Sequence, residues 1–123
     1  MTRVLVVDDE AAIRDLVSDM LHDEGYDVVA ARNGTEALQA LAETPPDLLL
    51  TDWMMPIMNG RDLLEHLRQQ PHLDGMAVVV MSAAVRPDVE AGTVAAFLPK
   101  PFELAHLLDV VSTLVGQPPQ PKR

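Results

Sequence analysis

The sequence contains no cysteine, which excludes thiol chemistry, thiolate zinc sites and a disulfide framework. It is also poor in cations. Nine lysines and arginines stand against 19 aspartates and glutamates, a formal net charge of -10, and Lys100 and Lys122 are the two lysines. A nucleic-acid backbone or an anionic membrane surface needs a cationic face, so neither is an expected partner. Long apolar runs are missing too: Met76 to Met81 is among the longest, far short of the roughly 20 residues that span a bilayer. Met1, Thr2 and Arg3 lead directly into a strand-like run, without the regions of a signal peptide. A cytoplasmic location is the expectation. His22, His66, His72 and His106 are scattered, with no pair at i, i+4, and read as surface or helix-face residues rather than ligands.

What is present is one domain's worth of core. A chain of 123 residues, 48% of them hydrophobic, withdraws roughly two-thirds of its unfolded surface from water. Short solid apolar runs alternate with longer stretches of helical spacing, the pattern of buried parallel strands and their crossover helices. The predicted strands are Val4 to Val7, Val28 to Ala31, Leu48 to Thr51, Ala77 to Met81 and Ala95 to Leu98. A first helix carries Ile13, Leu16, Val17, Met20 and Leu21 and stops at Gly25. A second starts near Thr35, turns Ala37, Leu38, Leu41 and Ala42 inward, and ends before Pro45. A third follows Asn59 and Gly60 and buries Leu63, Leu64 and Leu67, and the last has one stripe of Leu104, Leu107, Leu108, Val111, Leu114 and Val115. The domain is expected over 1–116. Residues 117–123, with three prolines, form a disordered end or a severed linker. The predicted class is α/β, a doubly wound parallel sheet with helices on both faces.

In such sheets the ligand site lies beyond the carboxyl ends of the strands. Asp8, Asp9 and Glu10 follow the first run, Asp52 the third and Ser82 the fourth, while Lys100 and Pro101 lie just past the fifth. Each has a plain explanation alone. Asp9 serves as a helix cap, Asp52 as a loop cap, Ser82 as a partner for nearby backbone, Lys100 as a solvated lysine. Together they do not fit those roles, because three carboxylates at one sheet edge repel unless a cation sits among them. Lys100 supplies one positive charge, and a magnesium ion, which prefers oxygen ligands and retains waters, suits the rest.

With these residues in place the sequence resembles a bacterial two-component response-regulator receiver domain. The motifs are the run ending in Asp8 and Asp9, then Asp52 with Trp53, Met54, Met55, Pro56 and Gly60, then Ser82 with Ala83, then Lys100, Pro101 and Phe102. The match covers the chain to Val115. The resemblance implies a flavodoxin-like (βα)5 fold with five strands in the order 2-1-3-4-5. It implies a phosphoacceptor switch in which Asp52 takes a phosphoryl group from a phosphohistidine donor. Asp9, Asp52 and the Met54 carbonyl would bind Mg²⁺, with Asp8 acting through water or positioning the metal. Lys100 would hold phosphoryl oxygens, and the Lys100 to Pro101 bond is of a kind often cis in the family. Ser82 and Phe97 would be the switch pair. A hydrogen bond from Ser82 to the charged product is worth about 1.5 to 3 kcal/mol, against about 5.5 for a full reversal of a two-state equilibrium. Lys100 and backbone near Ala83 must then share the work, or the switch is partial.

The implied partners are a histidine kinase or a histidine phosphotransfer protein and a downstream effector, with the chain a monomer or a weak phosphorylation-dependent dimer. It would be no enzyme in the usual sense, promoting only transfer to its own Asp52 and slow hydrolysis. Met54 and Ala84 offer no group to position an attacking water, which favours a long-lived phosphoryl state. Two features depart from the family pattern. Only 17 residues separate Ser82 from Lys100, leaving one or two turns for a helix from Pro87 to Gly92, and Thr93 stands where a glycine is common. A phosphatase is disfavoured because its general acid would fall at Met54, and a flavodoxin-type cofactor protein because Asp8 and Asp9 would repel a phosphate. A degenerate receiver that binds partners without phosphorylation runs against the intact acidic pair, Asp52 and Lys100.

Overall fold

Uninterrupted Val and Leu runs belong in strands covered on both faces, since each strand side chain must then find an apolar neighbour above or below the sheet. The computed structural model describes residues 2–54, 60–70, 75–82, 96–100 and 102–116. Its elements are β1 (Arg3–Val7), α1 (Ala11–Asp23), β2 (Asp27–Ala31), α2 (Gly34–Glu43), β3 (Leu48–Asp52), α3 (Gly60–Arg68), β4 (Ala77–Ser82), β5 (Ala96–Pro99) and α4 (Leu104–Val115). All five strands pair in parallel, in the order β2-β1-β3-β4-β5. This is the doubly wound arrangement expected. The proposed Pro87 to Gly92 helix, Ala83, Ala84, Thr93, Pro101, His72 and the tail 117–123 lie outside the described residues.

Strand alternation sorts the core into two layers. Leu5, Val7, Leu49, Val78 and Val80 face α2 and α3, meeting Ala37, Leu41, Leu63, Leu64 and Leu67. Val4, Val6, Leu48, Leu50, Val79 and Met81 face α1 and α4, meeting Val17, Leu21, Leu107 and Val111. The helices bury less than their apolar stripes promise. Ala42 is exposed, Leu16 keeps 53% of its surface and Leu104 41%. A helix laid on a sheet touches it along one line, so residues at the edges of a wide stripe stay in solvent.

Local chemistry sets the helix ends. Asn33 caps α2 through its side chain, accepting from the Glu36 N–H at 2.9 Å, while Glu36 reaches back to Arg32. Gly25, with φ 98°, turns the chain out of α1. Tyr26, buried beside it, donates its hydroxyl to the Gly116 carbonyl at 3.1 Å, tying the end of α4 to the start of β2. No helix among the described residues is long and apolar enough to cross a membrane.

Candidate functional site

Register brings the acidic residues together. Val7 lies opposite Thr51 across β1 and β3, so Asp8 and Asp52 are the next residues on adjacent strands. Carboxylate oxygens of Asp8, Asp9 and Asp52 lie within 4.8 Å of one another. Asp8 is fully buried, Asp52 is 5% exposed, and Asp9 stands in solvent at the mouth. Asp9 does not cap α1: the N-cap is Glu10, which makes no side-chain cap bond. Instead the Glu10 N–H donates to Asp8 Oδ1 at 2.9 Å, turning the chain from β1 into α1 around the buried carboxylate.

Lys100 follows β5, at the same edge of the sheet where β1 and β3 end. Its Nζ donates to Asp8 Oδ2 at 2.8 Å and lies 3.4 Å from Asp52 Oδ2, so it is no solvated lysine. Its own N–H donates to the Ser82 carbonyl at 2.8 Å, fixing the chain where β5 ends. Burial alone would lower the Lys100 pKa, but the hydrogen bond to Asp8 and the charges of Asp52 and Asp8 outweigh it and hold it above its ordinary value. Asp52 moves the other way from a typical paired carboxylate. Burial pushes its pKa up, Lys100 opposes, Asp8 adds to the rise, and the Met54 N–H, 3.4 Å from Oδ1, opposes again. The pocket therefore holds more negative charge than Lys100 balances, and its donors are hard oxygens, the ligand chemistry of magnesium.

The remaining expected residues frame this pocket. Ser82 is buried at the end of β4, opposite Pro99. Phe97 is half-buried against the layer containing Val7 and Val80. The Met54 side chain is 64% exposed at the rim. Trp53 packs half-buried on the α3 side, with the Arg61 guanidinium 5.5 Å from its ring centre. Two contributors went unseen in the sequence. Thr51, fully buried, donates its hydroxyl to the Asp52 carbonyl at 3.0 Å, and Arg14 donates Nη1 to the Asp8 carbonyl at 2.9 Å. A cationic residue on the first turn of the helix after the acidic pair was the available signal for Arg14.

Residues 4–112 match the family described as the response regulator receiver domain. This chain belongs to that family. Its members are the phosphoacceptor switches of two-component signalling. The sensor histidine kinase TmoS of Ectopseudomonas mendocina is 35% identical over 93% of the chain, and the DNA-binding response regulator MtrA of Mycobacterium tuberculosis 36% over 86%. The chain spans 12% of the first and 47% of the second. Among solved structures, the response regulator TrrA of Thermotoga maritima in complex with Mg²⁺-BeF is 32% identical, with a TM-score of 0.83 over 93% of this receiver and 99% of that chain.

Proposed function

We propose that this receiver accepts a phosphoryl group on Asp52 from a phosphohistidine of a partner protein, with Mg²⁺ held by Asp8, Asp9, Asp52 and the Met54 carbonyl. The observation that carries the reading is Asp52 itself, a buried carboxylate at a strand end, 3.4 Å from Lys100 and clustered with two further carboxylates. The donor set fits the metal: three carboxylates converge where one ammonium is the only cation seen to pair with them among the described residues. When bound, Mg²⁺ supplies the positive charge that balances the phosphoryl oxygens and favours ionised carboxylates.

Asp52 attacks phosphorus, the P–N bond to the donor imidazole breaks, and its electron pair returns to the ring nitrogen, leaving an acyl phosphate on Asp52. Lys100 is already desolvated and oriented, so it meets the arriving oxygens without reorganising. Ser82 and backbone around Ala83 receive the product's oxygens, and Phe97 responds to that movement. The acidic composition disfavours nucleic acid as a partner of this chain itself; MtrA's name belongs to a longer protein, of which the match covers 47%. TrrA, a relative whose solved structure is a complex with Mg²⁺-BeF, supports the reading of the acidic cluster as a metal site.

The test is incubation with Mg²⁺ and acetyl phosphate, followed by intact mass. A gain of about 80 Da is expected, absent from Asp52→Asn. Trp53, the only tryptophan, reports metal and phosphodonor through its emission. After removal of donor the adduct persists well beyond seconds, since neither a methionine at 54 nor an alanine at 84 orients water. No mass gain and no change in emission would favour the degenerate receiver.

A further inference from the structure

All four polar main-chain and side-chain atoms of Asp8 are tied. Its N–H donates to the Ala31 carbonyl at 3.2 Å, Oδ1 accepts from Glu10, Oδ2 accepts from Lys100, and its carbonyl accepts the Arg14 guanidinium. The last bond bears on more than Asp8. A peptide group is planar, so the Asp8 carbonyl oxygen and the Asp9 Cα lie in one rigid unit. Holding the oxygen sets the direction in which Asp9 leaves the strand. The Glu10 N–H bond to Asp8 Oδ1 closes the turn on the far side of that plane, and Arg14 is the group that holds its carbonyl oxygen, while Asp9 itself is exposed and α1 lacks a side-chain cap. Arg14 is placed for the task by the helix: its N–H closes the first helical bond to the Glu10 carbonyl at 2.9 Å, and its side chain reaches back over that turn.

We propose that Arg14 is a positioning residue of the metal site, orienting the Asp8–Asp9 peptide so that both carboxylates meet the ion that Asp52 also holds. This rests on the reading of the acidic pocket as a Mg²⁺ site. Its sign separates it from simpler roles. Removing a positive charge beside an anionic pocket tightens cation binding by electrostatics alone. Losing the orientation of two ligands weakens it. A purely structural role lowers the unfolding temperature and leaves affinity in the folded protein unchanged.

The experiment titrates MgCl₂ into the whole chain and its variants, following Trp53 emission and, independently, heat by calorimetry, at a temperature where circular dichroism shows each protein folded. Arg14→Met is expected to weaken Mg²⁺ binding about tenfold, the usual scale for a group that orients metal ligands. Arg14→Lys keeps a donor and recovers part of the loss, though a lysine lacks the planar fork. Unchanged or tighter binding in Arg14→Met overturns the proposal, as does an Arg14→Lys no better than Arg14→Met. If Arg14→Met does not fold, Arg14→Gln takes its place with the same decision: weaker binding supports the proposal, unchanged or tighter binding overturns it. A parent protein that binds no Mg²⁺ overturns the reading of the pocket and this inference with it. A parent that binds, with variants that match it, overturns the inference alone.

Discussion

A carboxylate sealed from solvent needs a counter-charge, and Asp8 finds it in Lys100 at 2.8 Å, with both side chains almost wholly buried. Taking away one partner leaves the other stranded. Lys100→Met is expected to destabilise the metal-free protein by about 3 to 5 kcal/mol, and saturating Mg²⁺ to restore part of that; urea unfolding with and without the ion measures both. Asp52 makes the opposite contribution. Burial raises its pKa, so its favourable neutral form is complete below the unfolded carboxyl value and is lost as pH rises through the folded one. Asp52→Asn is therefore expected to be more stable than the parent without metal, by a margin that grows towards neutral pH; equal urea midpoints at neutrality would contradict this. These residues were legible in the sequence because like charges at adjacent strand ends demand a cation. Thr51 was not, and Arg14 only as a cation one turn after the acidic pair, because each acts on a backbone carbonyl and the sequence does not reveal which carbonyl needs a donor.

Elements were legible where one physical rule dominates. Each expected strand lies within one residue of its observed bounds among the described residues, since a solid run of Val and Leu has few other places to go. Helix faces were read less well, as Ala42, Leu16 and Leu104 show, because periodicity gives direction but not the width of the contact. The start of α2 offers a check on local chemistry. Asn33→Ala is expected to cost about 1 kcal/mol of unfolding free energy through loss of the cap. Glu36, held below its ordinary pKa first by the Arg32 side-chain hydrogen bond and then by the Arg32 N–H, works with it. Its contribution is present above the unfolded carboxyl value and is lost as pH falls through the depressed folded one. Glu36→Gln should flatten that acid limb, seen by thermal unfolding at a series of pH values.

For the molecule as a whole, the alternation of runs and helical stretches pointed to a parallel sheet, while the order of its strands followed from family likeness, since periodicity carries no information about which strand lies beside which. The long-range tie from Tyr26 to Gly116 was equally invisible: 90 residues separate the partners, and one of them is a main-chain oxygen. Tyr26→Phe keeps the buried ring and loses the bond, and is expected to lower stability by about 1 kcal/mol in urea unfolding. Gly116→Ala should do likewise for another reason. There is open space for a methyl group, but φ of 78° penalises any L side chain.

That tether also fixes distances. Gly116 is moored at the amino rim of the sheet, beside the start of β2, whereas Asp8, Asp52 and Lys100 gather at the carboxyl rim. The two poles are separated by a five-residue strand, about 17 Å. Charge gained at one pole is screened over that span before it can act directly at the other. A mechanical route between them runs through the core layer that packs α1 and α4 onto the sheet.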